Sequence, residues 1–306
     1  VGTPVRPVTT FSIVARDLED PAGGSFGVAV ASRYFDVGNV VSWAEAGVGA
    51  VATQAFVEPG YGPRALEQIR AGTSARDALA ALLAADPGRE LRQVAVVDAS
   101  GGVAAHTGGL AIPFAAHEMG DGWSAQGNML ASPDVCHAIV HSFARVKGDL
   151  AERLLAGLEA GERAGGDARG RQAAALLVVR PLSSDEPWRN RVVDLRVEDH
   201  AQPLVELRRL LGLRRAADAL ESAQRLLLLG DSHGARHALA EGIELSRRSD
   251  EFLFWGGLLL ARMGDEQGAV RHLREALEKN ACWAELLDRL PELLRPHASV
   301  LERLRR

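Results

Sequence analysis

Two adjacent hydroxyl residues, Thr9 and Thr10, open the stretch Thr10-Phe11-Ser12-Ile13-Val14-Ala15, which reads as a β-strand. Inside a chain a threonine hydroxyl is a poor nucleophile. As the first residue of a chain it gains a base of its own, because the free α-amine, with a pKa near ~8, can accept the hydroxyl proton. Such a residue can attack an amide carbonyl without a separate histidine. Read from propensity alone, a β-branched residue at a strand start needs no function. Which threonine would lead depends on the start: initiation at Val8 exposes Thr9, and the opening valine fits either a non-AUG start codon or a processed chain.

Other polar residues end predicted strands where they could converge on the first. Arg33 follows Gly27-Val28-Ala29-Val30-Ala31-Ser32 and could supply fixed positive charge near the amine or bind a substrate carboxylate; a surface arginine at a strand end is the plainer reading. Asn128 closes Gln126-Gly127-Asn128, where an amide can stabilise an oxyanion and the glycine permits close backbone approach. Ser12 shares a strand face with Thr10 and fits a supporting hydrogen bonder. Ser32, Gln54, His106 and Gln126 complete the set of expected substrate-binding residues, with buried hydrogen-bonding roles equally open to Gln54 and Gln126. His117-Glu118, His137 and His141 invite a metal reading, the last two lying four apart on a predicted helix, but no carboxylate follows in HExxH style, so no metal and no other cofactor is expected.

The elements that must position these residues come in blocks. Strands are predicted at Thr10 to Arg16, Ser25 to Arg33 and Gly47 to Phe56, with a hairpin turn at Gly23-Gly24. Helices follow at Pro63 to Ala71 and Ser74 to Ala85, then strands at Gln93 to Asp98, Gly102 to His106 and Trp123 to Asn128. Further helices at Pro133 to Arg145 and Leu150 to Ala164 precede strands at Ala173 to Val179 and Val192 to Val197. Without regular βαβ alternation, this order points to an α+β fold of antiparallel sheets covered by helices, which a four-layer αββα sandwich satisfies.

The motifs, taken in order, look familiar. Thr-Phe-Ser-Ile-Val-Ala-Arg-Asp (10 to 17), Gly-Val-Ala-Val-Ala-Ser (27 to 32), Ala-Gly-Val-Gly-Ala-Val-Ala-Thr-Gln (46 to 54), Tyr-Gly-Pro-Arg (61 to 64), Ala-His-Thr-Gly (105 to 108) and Gln-Gly-Asn-Met-Leu (126 to 130) resemble the prokaryotic domain-of-unknown-function family 1028. Gly-Gly-Asp-Ala-Arg-Gly-Arg-Gln (165 to 172) and Asp-Leu-Arg-Val-Glu-Asp-His (194 to 200) extend the resemblance over about the first 200 residues. It implies the N-terminal-nucleophile hydrolase superfamily, the αββα sandwich, and a threonine at the position of Thr10 that becomes terminal. Enzymes of that superfamily such as the proteasome tune the threonine with a lysine. The only lysines here, Lys147 and Lys279, lie near no comparable strand, which leaves Arg33 as the available cation.

From Leu204 onward the strand signal gives way to helical spacing, and Gly230-Asp231, Ala235 and Gly242 recur at Gly264-Asp265, Ala269 and Ala276, an offset of 34 residues, the tetratricopeptide period. The expected organisation is an N-terminal extension (1–9), a sandwich domain (10–200) and an all-α tetratricopeptide-like domain (204–306). A helix around Trp283 to Leu294 should cap apolar surface contributed by Leu226 to Leu229, Phe252, Phe254 and Trp255, and the module is open to homodimerisation or to a protein partner. With 47% hydrophobic residues, 25% charged, a net charge of -5 and no basic block, a nucleic-acid partner is not expected, nor is a membrane one. Two distant cysteines, Cys136 and Cys282, and no signal peptide suit the cytoplasm. The functional expectation is a hydrolase of small-molecule or short-peptide amides, and the alternative is a noncatalytic binding or assembly protein that keeps the sandwich.

Overall fold

A computed structural model describes residues 7–18 and 24–305; the expected Gly23-Gly24 turn and residues 1–6 of the N-terminal extension lie wholly or partly outside them. The elements of the first part are β1 (Thr10–Arg16), β2 (Phe26–Ser32), α1 (Val37–Val41), β3 (Ser42–Glu45), β4 (Gly49–Ala55), α2 (Tyr61–Arg70), α3 (Ala75–Ala85), β5 (Arg92–Asp98), β6 (Val103–Thr107), β7 (Ala116–Gly120), β8 (Trp123–Gly127), α4 (Val135–Arg145), α5 (Leu150–Arg163), β9 (Ala173–Val179) and β10 (Arg191–Val197). The helical part comprises α6 (Pro203–Leu228), α7 (Ser232–Leu245), α8 (Asp250–Arg262), α9 (Glu266–Lys279), α10 (Cys282–Arg289) and α11 (Ala298–Leu304). The chain divides into two compact units, Val1–Arg208 and Arg209–Arg306, and the division falls inside α6. Among the described residues no helix is long and apolar enough to cross a membrane.

The first unit is a mixed α+β structure with two antiparallel sheets. One has six strands in the order β10-β9-β2-β1-β8-β7, and the other has four in the order β3-β4-β5-β6. The sheets face each other through β1, β2 and β8 on one side and β4 and β5 on the other, while α4 and α5 pack on the outer face of the larger sheet and α2 and α3 on that of the smaller. Strand alternation explains why β1 is buried on both faces: Phe11 packs against the α5 end at Gly161 and Gly166, whereas Ser12 reaches across the gap to β4. Small and branched side chains, Val14, Val28, Val30, Ala50, Ala52, Ala95 and Val97, fill one end of that gap.

Local signals set the helices. The Ser74 side chain accepts from the Asp77 backbone N–H at 3.1 Å and starts α3, and Asp149 does the same for α5 through Glu152 at 2.8 Å. On α2 the buried Tyr61, Leu66 and Ile69 share one face and pack with Val51, Val94 and Val96, each such burial stabilising by about 1.5–3 kcal/mol. Three short elements, α1, β3 and β7, have no counterpart in the sequence reading, being five residues or fewer.

In the second unit the 34-residue recurrence marks equivalent turns. Gly230 (φ 83°) and Gly264 (φ 75°) stop their helices in left-handed conformations that favour glycine, and Asp231 and Asp265 then cap α7 and α9 by accepting from Gly234 and Gly268 at 2.9 and 2.8 Å. Phe252 and Phe254 are buried rather than exposed. Trp283 on α10 stacks on Phe254 with centroids 4.6 Å apart and donates through Nε1 to Asp250 at 2.8 Å, so α10 covers part of the apolar surface the sequence implied. Leu228 and Leu229 remain 77% and 76% exposed.

Candidate functional site

At the other end of the gap the inward positions turn polar on every strand that reaches it. The register sets Thr10 opposite Ser32 on β2 and Ser12 opposite Gln126 on β8; across the gap Gln54 on β4 pairs with Gln93 on β5, and Gln93 with Thr107 on β6. Thr9, Thr10, Ser12, Gln54, Gln93, Ser124, Gln126 and Asn128 all have 0% exposure. A polar cluster sealed between two sheets is costly unless its groups are paired.

Most are paired, in one continuous chain. The Ser124 hydroxyl donates to Gln126 Oε1 (2.9 Å), Gln126 Nε2 to Ser12 Oγ (2.6 Å), the Ser12 hydroxyl to Gln54 Oε1 (2.7 Å) and Gln54 Nε2 to Gln93 Oε1 (2.7 Å). Gln93 Nε2 then donates to Thr107 Oγ1 (3.0 Å), and Thr107 Oγ1 lies 2.8 Å from His117 Nδ1. With Gln93 donating to it, Thr107 is free to give its own proton to His117, whose Nδ1 is then the acceptor. Burial, and secondarily the neighbouring His106, depress the His117 pKa and favour this neutral ring.

Two of the exceptions, Thr10 and Asn128, share the gap face, whereas Thr9 alternates to the other side of the strand. Among the described residues the buried Thr9 Oγ1, Thr10 Oγ1 and Asn128 Oδ1 have no hydrogen-bond partner. Asn128 follows β8 at the position facing Thr10, and its backbone N–H donates to the Thr10 carbonyl at 3.0 Å. The Thr9 carbonyl, by contrast, is held twice, by the Ser32 hydroxyl at 2.5 Å and by Arg169 at 3.0 Å. The buried Asp167 carboxylate fixes Arg169 through ion-paired hydrogen bonds of 2.8 and 3.1 Å and also accepts from the Arg33 backbone N–H at 2.9 Å. On the α5 side of the larger sheet, the face turned away from the gap, lies a small cavity of about 60 Å³ whose lining includes Phe11, Ser32, Glu162, Gly166, Asp167 and Arg171. Burial raises the Glu162 pKa, and the nearby Arg171 opposes the shift.

The structure thus gathers Thr9, Thr10, Ser12, Ser32, Gln54, Gln126 and Asn128. It does not bring Arg33 into the cluster: that side chain is exposed and donates to the Arg169 carbonyl at 3.3 Å, and the guanidinium at the threonines is Arg169. His106 also points elsewhere, pairing through Nε2 with the Arg89 carbonyl at 2.9 Å, because it alternates with Thr107 and so faces the helical side of its sheet. Gln93, Thr107, His117, Asp167 and Arg169 were missed. Gln93 had a legible signal, a glutamine at the inward parity of a strand otherwise Val-Ala-Val-Val; Asp167 and Arg169 sit in a loop that no periodicity describes. His137 and His141 lie on α4, and among the described residues no group of three His, Cys, Asp or Glu could hold a metal ion.

Fold and site together define an α+β protein whose two facing antiparallel sheets enclose a hydroxyl and amide network at one end. The chain belongs to the family of unknown function DUF1028, whose model matches residues 10–207. The fold is similar to the crystal structure of protein SPO2555 from Silicibacter pomeroyi, assigned to the same family, with 33% identity and a TM-score of 0.59 over 66% of this chain and 84% of that one. Among curated proteins no sequence matches.

Proposed function

We propose that the first unit is an amide hydrolase of the N-terminal-nucleophile class, its helix–sheet–sheet–helix layering the αββα sandwich of that class, with Thr10 as nucleophile. One observation carries the reading: the Thr10 hydroxyl is buried at the start of a central strand with no hydrogen-bond partner among the described residues, beside a chain of paired amides and hydroxyls. In a chain beginning at Thr10, its Oγ attacks the substrate carbonyl carbon while its α-amine takes the hydroxyl proton and passes it to the departing amine; water then hydrolyses the threonyl ester and releases the acid. Ser32 and Arg169, which hold the Thr9 carbonyl here, become the donors for the oxyanion, and the Arg169 charge lowers the amine's pKa. Small amides or short peptides are the proposed substrates. Recurring glycine-aspartate turns support reading the second unit as a tetratricopeptide-like module for self-association or for a protein partner.

A second reading, a noncatalytic assembly protein, draws on Val8. Its backbone exchanges hydrogen bonds of 2.7 and 2.9 Å with Ala55, which builds the segment before Thr10 into the fold. Intact-mass measurement and N-terminal sequencing of protein from its native host, followed by treatment with a β-lactone acylating probe, separate the two. A chain starting at Thr10 and acylated there, with labelling lost in Thr10→Ala and kept in Thr9→Ala, supports the hydrolase. A chain that retains Val8 and takes no label refutes it.

A further inference from the structure

An amide side chain can face a site with its oxygen or its nitrogen, and the hydrogen-bond partners around Gln93 settle which way Asn128 faces. Gln93 Nε2 lies 2.9 Å from the Gly127 carbonyl and 3.1 Å from the Ala116 carbonyl. Backbone carbonyls only accept, so the Gln93 nitrogen must be on that side and its Oε1 on the other. Two amides reach that oxygen, Gln54 Nε2 at 2.7 Å and Asn128 Nδ2 at 2.9 Å. Gln54 is anchored independently, since its nitrogen also lies 3.4 Å from the Thr10 carbonyl and its oxygen accepts from Ser12. Turning Asn128 over would set two acceptor oxygens against each other at hydrogen-bonding distance in a dry interior, at a cost of at least one buried hydrogen bond. Its Oδ1 therefore points away from Gln93, and it is this oxygen that lacks a partner, on the strand position facing the unpartnered Thr10 hydroxyl.

We propose that Gln93 is a positioning residue that turns the Asn128 carbonyl oxygen toward Thr10, so that this corner receives a hydrogen-bond donor, the N–H of an amide or amine, and not an oxyanion. The oxyanion role expected of Asn128 passes to Ser32 and Arg169. The ligand half of the proposal rests on the threonine-hydrolase reading, where it favours substrates whose leaving group bears N–H over esters and carboxylates; the orientation half does not rest on it.

Neutron diffraction from deuterium-exchanged crystals of the full chain tests both halves without turnover. The expected map places an Asn128 Nδ2 deuterium on Gln93 Oε1 and the two Gln93 Nε2 deuteriums on the opposite side, shared among the Gly127 and Ala116 carbonyls and Thr107 Oγ1. Crystals soaked in acetamide should show its N–D directed at Asn128 Oδ1, and crystals soaked in acetate should show nothing there. In Gln93→Met, whose thioether no longer dictates the orientation, the Asn128 amide should refine as a mixture of both. An Asn128 nitrogen facing Thr10 in the native chain overturns the proposal while leaving a threonine nucleophile intact. Acetate bound at Oδ1, or neither probe bound, overturns the ligand assignment alone. A chain that proves inactive with Asn128 oriented as described refutes the hydrolase reading and not the orientation.

Discussion

Replacing Thr10 by valine should make the first unit more stable. Valine keeps the branched shape at Cβ and exchanges the hydroxyl for a methyl, and that hydroxyl is fully buried with no partner among the described residues. An unpaired buried polar group costs about 1–3 kcal/mol, and the replacing methyl gains apolar contact, so the net gain should be about 1–2 kcal/mol. Ser12→Ala, two residues along the same face, is the control. The Ser12 hydroxyl donates to Gln54 at 2.7 Å and accepts from Gln126 at 2.6 Å, and its loss strands two buried amides for a cost of about 2 kcal/mol or more. Because the chain has two units, the appropriate assay is hydrogen exchange of the β1 amides by mass spectrometry, which reads opening of the first unit separately. Exchange should slow about 5- to 30-fold in Thr10→Val and quicken by at least as much in Ser12→Ala. Faster exchange in Thr10→Val would show that the hydroxyl is satisfied in solution, and the argument that it is held in reserve for chemistry would fail.

Gln93→Leu should be among the most damaging single changes in the first unit, since it leaves the buried Asn128 and Gln54 amides without their shared acceptor; about 2–4 kcal/mol is expected, read as faster hydrogen exchange of the β5 amides. The Cys136 thiol is buried and its pKa is pushed up to about 12, by burial first and then by Glu118, whereas Cys282 is exposed, so iodoacetamide on the native chain should modify Cys282 alone as judged by peptide mass. His117 adds a pH dependence: with its folded pKa depressed below the ordinary ~6.5, stability is retained above ~6.5 and lost as pH falls below it, because the unfolded ring then binds the proton more readily. Melting temperatures of the native chain and of His117→Gln between about pH 7 and 5 should therefore diverge less in acid than at neutrality; parallel curves would place the titration elsewhere.

Strand and helix blocks were legible because each long element carries its own period, and Ala173–Val179 was legible to the residue as an unbroken apolar run. Most of the site was legible for the same reason. Ser12, Gln54, Gln126 and Asn128 stand out as polar residues at the ends of apolar strands, where a buried amide contradicts its surroundings. Arg33 shows where that logic stops. Proximity to Thr10 is set by a loop, Gly165 to Arg171, whose course depends on Asp167 gathering Arg169 and the Arg33 backbone, and no local preference of the sequence encodes which of several arginines it selects. His106 and Thr107 differ in fate by a single step of strand alternation, and a predicted strand boundary is uncertain by more than that.

Why the gap should carry amides at all follows from what an apolar alternative would lack. Valine or alanine at 12, 54, 93 and 126 would continue the packing that already fills the opposite end, and with less to satisfy. A hydrogen-bonded chain from Ser124 to His117 adds direction: each donor commits the next acceptor, so none of its three glutamines can turn over without breaking two bonds. Rigidity of that kind matters only where an oxygen or a proton must be held in a set orientation. The unpartnered atoms, Thr10 Oγ1 and Asn128 Oδ1, stand beside this chain on adjoining strands, and Asn128 is tied to it through Gln93. Stability is therefore lower than an all-apolar gap would allow, in exchange for a corner whose donors and acceptors are already arranged before anything binds.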